Sequence, residues 1–184
     1  MSTDPDHTGE ERPIRDAATL VLIRDALTDN PQVLMGMRGA GAAFMPSKYV
    51  FPGGAVDPDD QHILLTPGVP EDQRALLAMR PVTARPPTAE AMVAAAIREL
   101  WEEAGQILGV PGVWDGPLPD DWADFAKAGL RPAGDSMQFL FRAVTPPGRT
   151  RRFDARFFLA RAEALATDPD DFSRATDELS HLHW

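Results

Sequence analysis

Residues 88–105, TAEAMVAAAIRELWEEAG, constrain the fold of this chain more than any other stretch. Alanine at 89, 91, 94, 95 and 96 gives the segment strong helical propensity. Thr88 supplies an N-cap oxygen, and Gly105 is a residue that turns a chain left-handed at a helix end. The spacing therefore predicts a helix over 89–104. On such a helix Glu99, Glu102 and Glu103 stand at i, i+3 and i+4, so their carboxylates share a face with no lysine among them. The arrangement is mildly repulsive, and it is either a solvated charge run or a surface for a hard cation. Clustered oxygen ligands of this kind suit Mg²⁺ or Mn²⁺, which keep several waters and bridge to substrate phosphates.

Charge and composition narrow the classes. The 28 acidic against 18 basic residues leave a formal net charge of −10, the reverse of what a nucleic-acid binder needs. With 184 residues, 43% of them hydrophobic, the chain is long enough to bury one sizeable core. No cysteine is present, which removes disulfides and thiolate zinc sites and agrees with a reducing compartment. There is neither an apolar leader segment nor a run of about 18 apolar residues. The expectation is a soluble, cytoplasmic protein without a nucleic-acid or membrane partner.

Along the chain, residues 1–14 read as a disordered lead-in and residues 15–184 as one domain. Strands are expected at 16–24 and 32–38, joined into a hairpin by Asp29, Asn30 and Pro31. A Gly/Ala loop at 39–43 leads to a short strand at 49–51 that stops at Pro52, and Gly53 and Gly54 read as turn glycines. Residues 61–87 carry a helical patch at 71–79 and a proline-rich connector at 81–87, and resemble an insertion. A short helix near 120–128 and strands at 137–145, 152–160 and 178–184 complete the expectation.

The text RELWEEAG after PGG resembles the signature of the Nudix hydrolases, with Arg98, Glu99, Leu100, Glu102, Glu103 and Gly105 matching its second half in order. The first half is split, because 35 residues separate Gly54 from Glu90 where the family usually has five. That split, the FPGG at 51–54 and the RRFDARFFLA at 151–160 are similar to the coenzyme-A diphosphatase branch. Gln106 departs from the pattern, which has an aliphatic residue there.

The resemblance implies an α/β/α sandwich with a mixed β-sheet and the box as a loop-helix-loop. It implies divalent metal, Mg²⁺ or Mn²⁺, on Glu99, Glu102, Glu103 and a backbone carbonyl near Gly54, with Arg98 orienting a glutamate and itself paired with Glu90 or Asp60. The implied reaction is hydrolysis of a diphosphate linkage in a nucleoside diphosphate joined to a group X, with coenzyme A or acyl-CoA leading. A nucleotide sugar or ADP-ribose, or a non-catalytic nucleotide sensor, are the alternatives. Glu99 or Glu103 is a candidate base, and Glu163, Asp177 and Glu178 remain open. The insertion is expected to stand beside the substrate as a lid or specificity wall. The family generally continues beyond a point such as Trp184 into a helix that covers one sheet face, so a cut-short chain, a covering partner subunit, as in a homodimer, or an unusual packing over that face is expected.

Other residues carry alternatives. Arg149, Arg151 and Arg152 are phosphate contacts or a solvated strand edge, and Trp101 is core or a stacking platform. Phe44 and Tyr49 are stacking rings or core, and His181 and His183 share one face of a strand without making a metal site.

Overall fold

The first strand is the centre of the molecule. The computed structural model describes residues 13–41, 46–114, 116–149 and 151–184. Most of the expected lead-in, part of the Gly/Ala loop and Phe44 lie outside the described residues. Strand β1 (Ile14–Arg24) buries Ala18, Leu20 and Leu22 on alternate positions, the period-2 pattern of a strand with one face on the core. It runs parallel to β9 (Arg152–Arg161), in register from Ile14 opposite Arg152 to Ile23 opposite Arg161. Strand β8 (Gln138–Val144) extends the sheet antiparallel to β9. On the other side of β1 lie β2 (Gln32–Val33) and β5 (Gly53–Ala55), both antiparallel to it. The sheet is therefore mixed, with the order β2-β1-β9-β8 and β5 beside β1.

The expected hairpin forms over two residue pairs only, Ile23 with Val33 and Arg24 with Gln32. Its second strand is divided at Leu34, which is fully buried and whose N–H donates to the Leu22 carbonyl at 3.0 Å. Beyond it, β3 (Met35–Arg38) joins a second sheet between β4 (Tyr49–Val50) and β10 (Leu179–His183). Gly36 permits that switch, because a Cβ there would lie 2.8 Å from the Leu179 Cβ. The glycine pair, expected as a turn, is instead strand β5: Gly53 pairs with Thr19 and Gly54 with Ala18.

Helix α2 (Ala89–Ala104) has the bounds its sequence demands. Thr88 Oγ1 accepts from the Ala91 N–H at 3.1 Å, and Gly105 closes the helix with φ 69°. Its alanines bring the backbone close to β1, so that Ile97 and Leu100 reach the core with Leu20, Leu22 and Phe158. Burying each large aliphatic side chain contributes about 1.5–3 kcal/mol. Shorter elements follow: α1 (Glu71–Leu77) before α2, then the two-stranded pair β6 (Gly109–Pro111) and β7 (Leu130–Pro132) around α3 (Ala123–Lys127).

The insertion is a largely exposed segment anchored to the core by four side chains. Ile63, Leu65, Val69 and Leu77 are buried in the same cluster as Leu20 and Ile97. Gln73 accepts the Phe139 N–H at 2.8 Å, Thr83 donates to Asp16 at 3.1 Å, and Arg142 donates to the Arg80 carbonyl. Deleting 61–85 would therefore remove four core side chains along with the segment. The far face of the main sheet carries Val21, Phe157 and Leu159, half-buried, and the Phe141 ring, which stacks on Phe157 at 4.4 Å. Among the described residues no helix is long and apolar enough to cross a membrane.

Candidate active site

The last two turns of α2 present four charged side chains to the glycine strand. Arg98 is buried, and its guanidinium makes a bidentate contact with buried Asp60, Nε to Oδ1 at 3.0 Å and Nη2 to Oδ2 at 3.1 Å. The same group donates to Glu99 Oε1, to Glu102 Oε2 and to the Ala55 carbonyl, each at 3.0 Å. Of the two partners open to Arg98 in the sequence, Asp60 is therefore the one used. It sits in a 3₁₀ turn (Pro58–His62) and also accepts the Asp57 N–H at 2.8 Å. Glu90 pairs instead with Arg74 at 2.6 Å on the surface. Burial would lower the Arg98 pKa, but the bond and charge of Asp60 and the two glutamates outweigh it and keep the guanidinium charged.

Glycine is required at the strand facing these groups. A methyl group on Gly53 would lie 2.5 Å from the Ala18 carbonyl oxygen and 2.7 Å from Thr19 Cα, and one on Gly54 would lie 2.5 Å from the Glu99 carboxyl carbon. The absence of side chains at both positions lets Glu99 lie on the strand and lets the Gly53 N–H donate to Glu103 Oε2 at 2.7 Å.

Glu103 is the most telling member. It is 1% exposed, and its Oε1 accepts no hydrogen bond; Arg38 Nη2 stands 3.6 Å away, an ion-pair distance too long for a hydrogen bond. As they stand, no three Asp, Glu or His side chains among the described residues converge into a group that would hold an ion. Glu99 and Glu102 are turned to Arg98 instead. The donor set nonetheless fits a hard divalent cation, the partner that a buried, unbonded carboxylate oxygen lacks.

Burial pushes the Glu103 carboxyl up to about 8 and that of Glu99 to about 7, from 4.5, and raises Glu102 as well. Arg98 opposes the shift at Glu99 and Glu102, while Glu178 adds to it at all three and Asp121 at Glu102. The folded chain thus keeps protons that the unfolded chain has already released. The contribution of Glu99 and Glu103 to stability is fullest below the unfolded carboxylate range and is lost as pH rises through about 7 to 8. Thermal melts in a chelator are expected to show Tm dropping by several degrees between pH 5 and pH 9, and Mg²⁺ should flatten the slope. A level profile in the chelator would mean the carboxylates are not desolvated.

Of the loop acids open in the sequence, Glu178 is one whose charge acts on all three box glutamates. Its neighbour Leu179 pairs with Arg38, and the Thr176 N–H donates to the Glu102 carbonyl at 3.2 Å. A cleft of about 580 Å³ opens on the other side of Glu102, between Trp101, α3 and Arg174. Trp101 is half-buried, edge-on to Phe125 and under the Arg174 guanidinium, 5.7 Å from its centroid. Arg149 and Arg151 are exposed, and Arg152 Nε donates to the Thr145 carbonyl within the β8–β9 hairpin. Tyr49 is exposed and edge-on to His183, and His181 is exposed too.

No protein-family model matches the chain. The fold is similar to the crystal structure of a Nudix hydrolase from Alicyclobacillus acidocaldarius, at 31% identity and a TM-score of 0.64, over 94% of this chain and 78% of that one. A putative nudix hydrolase 7 of Caenorhabditis elegans is 26% identical over 182 residues, 92% of this chain and 50% of the relative. The acyl-coenzyme A diphosphatase NUDT19 of Gallus gallus is 29% identical over 206 residues, 83% of this chain and 53% of the relative. The chain thus spans about half the length of these curated relatives.

Proposed function

Because the chain belongs to the Nudix hydrolases, we propose that it hydrolyses the diphosphate linkage of a nucleoside diphosphate joined to a second group, with coenzyme A or an acyl-coenzyme A as leading substrate. The observation that carries this reading is the buried Glu103 oxygen without a donor, on the helix face it shares with Glu99 and Glu102. The similarity to an acyl-coenzyme A diphosphatase supports the substrate class.

Glu99, Glu102, Glu103 and the Gly54 carbonyl would hold Mg²⁺ or Mn²⁺, which when bound neutralises phosphate oxygens and lowers the pKa of a water. The protein's own groups prepare the rest. Asp60 fixes Arg98, which restrains the Glu99 and Glu102 carboxylates from one side. Gly53 fixes Glu103 from the other. Glu178, exposed and next in the chain to Leu179, which pairs with Arg38 beside Glu103, is the group we assign to take the proton of the attacking water. The cleft beside Glu102, whose lining carries Arg174 and Lys127 as well as Asp120, Asp121 and Asp124, is the proposed seat of the substrate.

The test is a hydrolysis panel of coenzyme A, an acyl-coenzyme A, ADP-ribose and a nucleotide sugar with Mg²⁺ or Mn²⁺. Preferential cleavage of the coenzyme A compounds is expected. Preference for ADP-ribose or the nucleotide sugar would replace the substrate class, and nucleotide binding without cleavage would make the chain a sensor.

A further inference from the structure

Gln106 stands where the box has an aliphatic residue, and the structure gives the polar side chain a task. It is fully buried, and all its hydrogen bonds go to one segment. Its Nε2 donates to the carbonyls of Asp168 at 3.2 Å and Asp171 at 2.8 Å, and its Oε1 accepts from Thr167 Oγ1 at 2.7 Å. A leucine of similar size would leave two carbonyls and a hydroxyl in a part-buried site without that partner.

The same segment is tied to the end of α2 at further points. The Ala166 N–H donates to the Ile107 carbonyl at 2.8 Å, and the Ile107 N–H to Thr167 Oγ1 at 3.2 Å. Further on, the chain passes directly over Gly105, where a Cβ would stand 3.0 Å from Arg174 Cβ and 3.1 Å from the Ala175 nitrogen. Thr176 then bonds the Glu102 carbonyl, and Leu179 pairs with Arg38, itself 3.6 Å from Glu103. Glu178 therefore lies between two points fixed to the carboxylate cluster, at the end of a strap that begins on Gln106.

We propose that Gln106 is a positioning residue, seating segment 166–178 on the end of the metal-binding helix so that Glu178 reaches the box glutamates. The inference rests on the reading of the site as a diphosphate hydrolase. It also explains the departure from the family pattern: here the residue after the helix-stopping glycine packs as an amide because it carries a strap.

The experiment compares wild type, Gln106→Leu, Glu178→Gln and the double variant on coenzyme A with Mg²⁺, and follows amide hydrogen exchange of residues 166–178. Gln106→Leu is expected to lower kcat about ten- to a hundredfold, the scale of a misplaced catalytic group, with KM within about twofold. Exchange in 166–178 should quicken, and the kcat loss should disappear in the Glu178→Gln background. Thr167→Val, which removes one of the three Gln106 bonds together with the Ile107 N–H bond to the same hydroxyl, should show the same pattern and serves if Gln106→Leu does not fold. An unchanged kcat, or an equal loss with and without Glu178, would overturn the proposal by making Gln106 packing alone. A wild type that cleaves no member of the diphosphate panel would instead overturn the reading of the site, and the proposal with it.

Discussion

Glu102→Gln is expected to lower kcat for diphosphate hydrolysis by about a thousandfold while leaving stability within about 1 kcal/mol. The two effects separate because of where the side chain sits. Glu102 is one-third exposed, and its visible protein contact is an i,i+4 bond to Arg98 at 3.0 Å. Glutamine keeps the shape and loses only a charge that Arg98 does not need, since Asp60 and Glu99 still hold the guanidinium. Chemistry that depends on a carboxylate ligand has no such reserve. Steady-state kinetics beside urea unfolding check both halves, and equal rates in the two proteins would mean the glutamates are scaffold.

Asp60→Asn has the opposite signature, with unfolding free energy expected to fall by about 3–5 kcal/mol. Asp60 is 1% exposed, and its two oxygens take both the Nε and the Nη2 of a buried guanidinium. An amide in its place leaves Arg98 without its bidentate counter-ion and turns an N–H toward another donor. Glu90→Gln is the control, because Glu90 and Arg74 meet at a solvent-accessible pair worth about 0–1 kcal/mol. A loss below about 1 kcal/mol for Asp60→Asn, or one matched by Glu90→Gln, would falsify the assignment of Asp60 as the anchor of the box arginine.

What was legible in the sequence was local. The cap at Thr88, the stop at Gly105 and the alanine-rich stretch between them fix α2 without tertiary help, and the three glutamates follow from its period. Strands β1 and β9 were legible because each carries a continuous apolar run, at 20–23 and 157–160. Features that depend on distant partners were not. Glycine has poor strand propensity, so β5 was hidden until its two glycines were seen beneath β1 and Glu99. The division at Leu34 leaves no mark in a period-2 pattern, because both halves are strand. The choice of Asp60 over Glu90 was open because Asp60 stands 38 positions before Arg98. Gln106 was visible as a departure, but its carbonyl partners, more than sixty residues on, were not.

The parallel pairing of β1 with β9 governs the order in which the molecule can assemble. Ile14 has to find Arg152, and Ile23 has to find Arg161, so the middle of the sheet closes a loop of well over a hundred residues. Helix α2 can form early from its own sequence, but Ile97 and Leu100 have only part of their apolar cover until β9 arrives with Phe158 and Ala160. During synthesis the central sheet cannot be completed until residue 161 has left the ribosome, and until then β1 presents an unpaired edge. Such long-range pairing makes for slow folding and prolonged exposure to aggregation.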